Sequence, residues 1–230
     1  MLFYCILYRG ARMNAVIGII SYFPDDLREE RRNRFRKLLV QLNTYFKLPI
    51  IVIAQNWNEE DFKIFEGLTN QKIQVYTYQK LGITIARGVL RRIFLFLNYD
   101  WLIMFDDDME IIEDQDLVNK WLSEIQDKEF YWTQTFLTNF CAISKNGFSK
   151  VDYDYDVDSS KGNGFEDWIF VQRCIAKIPS KPFETYLPAR TRQGFLSDSM
   201  STWDPLDPEL KKRNEDASRR RIYDIWAGKD

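Results

Sequence analysis

The chain has 230 residues, 45% of them hydrophobic and 16% aromatic, enough for one domain-sized core. Its 32 Lys and Arg against 34 Asp and Glu leave a net charge of −2, so no global basic excess points to nucleic acid. Histidine is absent altogether, which excludes Ser-His-Asp and Cys-His chemistry and every histidine-based zinc site.

Read in chain order, Leu2 to Tyr8 is apolar but too short to span a bilayer, and no small-residue cleavage site follows it. No transmembrane segment is expected; residues 1–12 are an extra strand or an upstream translation start. Ala15 to Ile20 is a continuous β-branched apolar run, the pattern of a strand buried on both faces. After the loop Tyr22–Asp26, the chain from Leu27 to Phe46 places Phe35, Leu38, Leu39, Leu42 and Phe46 at helical spacing. Pro49 ends that helix, and Ile50 to Ala54 is a second buried strand. Asn58 can cap a short helix over Glu59–Glu66 that Gly67 ends. Ile73 to Tyr78 is a third strand, Ile83 to Leu97 a helix with Leu90, Ile93, Phe94 and Leu97 on one face, and Trp101 to Phe105 a fourth strand. This βαβαβαβ order predicts an α/β fold around a mainly parallel sheet flanked by helices.

The second half has a different texture. Leu117–Ile125 and Glu166–Ala176 read as helices, Phe130–Phe136 and Cys141–Ser144 as strands, and 152–164 as an acidic Gly/Ser-rich loop. Residues 188–206 read as an irregular loop, and Leu210–Trp226 as a charged terminal helix whose Lys211–Arg213 and Arg219–Arg221 runs suit a solvated face, or contact with a membrane surface or nucleic acid. Cys5, Cys141 and Cys174 are odd in number and lack metal spacing, which fits reduced thiols and a cytoplasmic location.

The chemistry concentrates at Asp106-Asp107-Asp108, directly after the fourth strand. In parallel sheets ligands bind at the carboxyl ends of strands. Three neighbouring like charges repel one another, and a hard divalent cation such as Mg²⁺ or Mn²⁺ gives a reason to keep them together. A second pair, Glu166-Asp167, opens a helix after a glycine-rich loop; it complements the helix dipole or, in a chain without histidine, supplies a general base. Gly82 to Gly88 opens the third helix, where a helix N-terminus and Arg87 suit an anion. Asp152, Asp154, Asp156 and Asp158 alternate as in a calcium loop, but the sixth position from Asp152 is Val157 and the twelfth is Asn163, so the EF-hand pattern fails. Tyr153 and Tyr155 in that loop either stack on a sugar or pack.

Four features together resemble glycosyltransferases of the GT-A fold, in particular the family 2-like inverting enzymes. They are the strand Val16–Ile20, the segment Gly82-x-x-x-Ala86-Arg87, Phe105-Asp106-Asp107-Asp108, and Gly164-Phe165-Glu166-Asp167-Trp168. The resemblance spans about residues 14–178. It implies a single Rossmann-like domain over 1–230: a nucleotide-sugar half at 14–110, an acceptor half at 111–185, and a lid loop with a helix at 186–230. It implies Mn²⁺ or Mg²⁺ at Asp108 and Asp106, bridging the diphosphate of a nucleotide-sugar donor such as a UDP-hexose, with Asp106 and Asp107 beside the ribose or sugar. It makes Asp167 the general base and Glu166 its partner or a binder of the acceptor hydroxyl. The family's histidine ligand is missing; Asp198, Gln193 or water would replace it, and the arginine-rich 190–199 segment either closes over the diphosphate as a lid or is a solvated loop. The family's usual asparagine after the arginine is Gly88 here. By position, Ser21, Tyr22 and Asp25 after the first strand and Gln55, Asn56 and Trp57 after the second border the base, with Tyr22 or Trp57 stacking on a uracil-like ring. The acceptor stays open among saccharide, protein, lipid-linked glycan and modified DNA base. The rival readings are a retaining GT-A enzyme, a nucleotidyltransferase (disfavoured because residues 21–26 hold no glycine) and a non-catalytic sugar- or calcium-binding module.

Overall fold

The computed structural model describes residues 13–68, 72–111, 114–133, 140–153, 155, 166–185, 189–191 and 208–229. Strands β1 (Ala15–Tyr22), β2 (Ile50–Gln55), β3 (Ile73–Tyr78) and β4 (Trp101–Asp106) alternate with helices α1 (Arg28–Tyr45) and α2 (Ile83–Phe96) and a 3-10 helix at Glu59–Phe65. There follow β5 (Met109–Ile111), α3 (Gln115–Ser123), β6 (Phe130–Trp132), β7 (Phe140–Ser144), α4 (Lys145–Lys150), α5 (Glu166–Lys177), β8 (Ser180–Pro182), β9 (Ala189–Thr191) and α6 (Pro208–Trp226).

Seven strands form one sheet in the order β3-β2-β1-β4-β7-β6-β8, and β5 pairs with β9 in a separate two-stranded sheet. The β3-β2-β1-β4 block is parallel throughout, while β7 runs antiparallel to both β4 and β6. The mainly parallel, mixed α/β architecture expected from the sequence is therefore present. β5, β7, β8 and β9 are short elements, of which only β7 is legible in the sequence, and α4 is not legible either. The reading of 130–136 as one strand ends at Trp132 among the described residues.

The apolar runs are continuous because both faces of the sheet are covered. Ile17, Ile19, Val52, Ile103 and Phe105 meet Phe35, Leu38, Leu39 and Leu42 of α1 and Trp121 of α3. The alternate residues Val16, Ile20, Ile51, Ile53, Leu102 and Met104 meet Leu90 and Phe94 of α2, Phe148 of α4 and Phe170 and Cys174 of α5. Strand periodicity of two sends neighbours to opposite faces, so each face needs its own helices. Gly18 lets α2 approach the sheet: a Cβ there would lie 2.8 Å from both Leu102 and Leu90 methyl groups. The last strand pair of each connection ends at one edge, with Ser21 opposite Ala54, Gln55 opposite Tyr78, and Ile20 opposite Asp106. The chain moves outward from β1 through β2 to β3, then returns to β4 on the other side of β1. That reversal opens a crevice between the ends of β1 and β4. α6 packs on α5, where Trp226 Nε1 donates to Gln172 Oε1 at 2.9 Å. Among the described residues no helix is long and apolar enough to cross a membrane.

Candidate active site

β4 delivers its last residue, Asp106, to the crevice; Asp107 and Asp108 form the turn, and the apolar Met109 and Ile111 carry the chain back into the core. The three aspartates have separate fates. Asp107 is buried: Arg31 Nη1 of α1 donates to its Oδ1 at 3.1 Å and the Tyr22 backbone N–H to its Oδ2 at 3.3 Å. Burial raises its pKa while Arg31 opposes the rise. Asp106 keeps 29% of its side-chain exposure. Burial pushes its carboxyl up to about 7, with Arg87 pulling down and Asp108, Asp107 and Glu166 adding repulsion. Asp108 is partly exposed, and no hydrogen bond or ion pair ties it down among the described residues.

The opposite wall is the start of α5, whose first turn carries Glu166 and Asp167. Arg87 of α2 joins the two walls. Its side chain is 3% exposed; Nη1 donates to Glu166 Oε1 at 3.1 Å and pairs with Asp167, and Nη2 lies 3.7 Å from Asp106 Oδ1. Arg87 Nε is buried with no hydrogen-bond partner. α2 begins where Gly82 adopts φ +80° and ψ 158°, a conformation open to glycine and not to L side chains. Gln55 Oε1 accepts from the Leu81 N–H at 2.8 Å and so fixes that turn. The sequence-level expectation for Arg87 was an anion contact; here three carboxylates surround it.

At the ends of β1 and β2, Ser21 is fully buried and its hydroxyl faces Asp107, whose carboxyl it helps to hold down. Tyr22 is half-buried, and Lys80 Nζ lies 5.4 Å from its ring centroid. Asp25 is exposed, pairs with Arg28 at 2.6 Å, and is held below its ordinary value by that bond. Gln55 is buried and serves the Leu81 turn. Trp57 is partly buried; its ring lies parallel to Phe23 at 4.8 Å and also meets Phe35, Phe62 and Phe65. Its neighbours on the 3-10 helix supply the partners that draw it inward.

Tyr153 is likewise a core residue, stacked on Phe170 at 4.2 Å. Tyr155 is exposed; its hydroxyl donates to Asp152 Oδ1 at 2.9 Å, and its ring occupies the space where a Cβ on Gly88 would fall, 2.2 Å from the hydroxyl oxygen. Asp152 is also bound by Arg91 at 3.2 Å. Asp154, Asp156, Asp158, Gly164, Phe165, Arg192, Gln193 and Asp198 lie outside the described residues, as does the expectation for 1–12. Among the described residues no three acidic or cysteine side chains converge into a complete metal site.

Two site-lining residues escaped sequence reasoning. Lys80 carries no local signal. Arg31 does: it precedes Phe35 by four and Leu38 by seven residues, so helical spacing places it on the face of α1 that meets the sheet.

No protein-family profile matches the sequence, and no curated protein matches it. The fold does match solved structures. S. aureus TarS in complex with UDP-GlcNAc superposes with a TM-score of 0.62 at 9% identity over 91% of this chain and 66% of that one. Mannosyltransferase PcManGT from Pyrobaculum calidifontis, in complex with GDP-Man and Mn²⁺, gives 0.53 at 11% identity, covering 74% and 55%. A protein from Desulfovibrio desulfuricans G20, described as a nucleotide-diphospho-sugar transferase by inference, gives 0.50 at 12% identity, covering 92% and 99%. The chain spans less than two thirds of the TarS and PcManGT chains. At these identities the likeness establishes a GT-A-like fold.

Proposed function

We propose that the protein is a metal-dependent glycosyltransferase that moves a sugar from a nucleoside-diphosphate donor, a UDP-hexose in the first instance, to an acceptor hydroxyl with inversion. The observation that carries this reading is the pairing of two acidic walls across the β1/β4 crevice. Asp106 and Asp108 stand on one side and Glu166 and Asp167 on the other, linked by Arg87. The GT-A-like fold supports it, since the similar structures named above hold UDP-GlcNAc in one case and GDP-Man with Mn²⁺ in another.

The donor set suits a hard cation: Asp108 is unpaired among the described residues, and Asp106 is crowded by like charge. Asp106 and Asp108 would hold Mn²⁺ or Mg²⁺ together with diphosphate oxygens, with Asp198 as a candidate further ligand. The cation supplies charge stabilisation to the leaving diphosphate. The chain's own residues do the rest. Asp167 takes the proton of the acceptor hydroxyl, the acceptor oxygen bonds to the anomeric carbon, and the bond from that carbon to the diphosphate breaks. Glu166 positions the acceptor. Ser21 and Tyr22, with Lys80 beside them, form the nucleoside side, and Asp25 and Gln55 shape its loops.

The test is a thermal-shift panel of UDP-, GDP-, CMP- and dTDP-sugars with and without Mn²⁺. A ligand bound only by the folded state raises its melting temperature. The expected result is a shift by one nucleotide class that requires Mn²⁺. No shift with any donor at millimolar concentration would refute the proposal.

A further inference from the structure

The guanidinium of Arg87 bridges the two acidic walls, and it is shared unequally. Its Nη1 is committed to α5, donating to Glu166 Oε1 at 3.1 Å and pairing with Asp167, while Nη2 reaches Asp106 at 3.7 Å, beyond hydrogen-bond length. Three carboxylates, Asp106, Glu166 and Asp167, border this one positive charge. A planar guanidinium offers donors in a fixed fork, so it cannot serve all of them at full strength at once. With 3% of its side chain exposed, water compensates little for what it lacks.

We infer that Arg87 is a positioning residue that couples the leaving-group wall to the base wall: a cation arriving at Asp106 and Asp108 releases Arg87 from Asp106 and hands it entirely to Glu166 and Asp167. This rests on the metal-dependent reading above. The hold of Arg87 on the start of α5 is then strongest when the cation is in place, so the base is positioned by occupancy of the donor site. Linkage makes the effect reciprocal: anything that weakens the hold of α5 on Arg87 returns it to Asp106, where it competes with the cation.

The test measures Mn²⁺ affinity by isothermal titration calorimetry on the full chain, with wild type, Glu166→Gln, Arg87→Gln and the double variant. The handover predicts that Glu166→Gln weakens Mn²⁺ binding at least threefold more when Arg87 is present than in the Arg87→Gln background. Simple attraction between the Glu166 charge and Mn²⁺ predicts the opposite order, because without Arg87 that charge is less screened. An equal or smaller effect in the presence of Arg87 overturns the inference and leaves the metal site standing. No Mn²⁺ binding by wild type at millimolar concentration overturns the metal reading and the inference with it. Hydrogen exchange on wild type alone keeps the test decisive if Arg87→Gln fails to fold: the amides of residues 167–170 should gain at least threefold protection on adding Mn²⁺, and unchanged protection there, with binding shown, also overturns it.

Discussion

Asp106→Asn should stabilise the metal-free protein, by an amount that grows as pH rises from about 4 to 7. In the folded state the Asp106 carboxyl is pushed up to about 7, first by burial and then by Asp108, Asp107 and Glu166, against the pull of Arg87. An unfolded aspartate titrates near 4. Between those values the native state holds a proton that the unfolded chain releases, so stability falls as pH rises through the window, and the full penalty is present above 7. Three pK units correspond to about 4 kcal/mol at most. The side chain keeps 29% of its exposure, and solvent there reduces the expected penalty to about 1–3 kcal/mol. Asparagine has nearly the same shape and no charge to bury. Urea unfolding in EDTA at pH 4 and pH 8 measures the difference. The variant should match wild type within about 0.5 kcal/mol at pH 4 and exceed it by about 1–3 kcal/mol at pH 8. Equal stability at pH 8, or the same gap at both pH values, would refute the electrostatic reasoning. Saturating Mn²⁺ should reverse the order, because wild type gains binding energy that the variant has lost.

The neighbouring aspartates should behave differently. Asp107→Ala strips Arg31 and the Tyr22 N–H of their acceptor and should cost about 2–4 kcal/mol in the same unfolding assay, whereas Asp108→Ala should stay within about 0.5 kcal/mol and abolish Mn²⁺-dependent donor binding. Arg87→Met leaves the buried Glu166 without its cation and should cost about 3–5 kcal/mol, measured by metal-free urea unfolding at pH 8. Asp167→Asn should lower kcat by about 10²–10⁴-fold while donor affinity, read by calorimetry, changes only a few-fold; a fully active variant would remove Asp167 from the role of base. Trp57→Ala should cost about 3 kcal/mol by opening the aromatic cluster and leave donor affinity unchanged, in contrast to Tyr22→Ala, which should weaken donor binding with little effect on stability.

Much of this protein was legible locally. The strands β1, β2 and β4 announce themselves as unbroken apolar runs because both faces of each are covered, and α1 and α2 through helical spacing. With the order of elements read, the carboxyl ends follow, and with them the position of Asp106–Asp108. The Glu166-Asp167 pair was visible as two acids opening a helix. What escaped were elements of three residues such as β5, β8 and β9, too short to carry a period, and the roles of individual aromatics. Trp57 and Tyr153 sit in loops whose polarity suggested exposure, yet each finds an aromatic partner, Phe23 and Phe170, from another element.

The sequence by itself determined that three carboxylates end a buried strand and that no histidine shares their work. Tertiary structure alone decided which of them is available. Asp107 is neutralised by Arg31, 76 residues away in the chain, and Glu166 by Arg87, 79 residues away. Backbone preference and burial period are set by near neighbours, so they can be read from a short window. The partner of a buried charge is set by how α1 and α2 cross opposite faces of one sheet, and that geometry exists only once the sheet has formed.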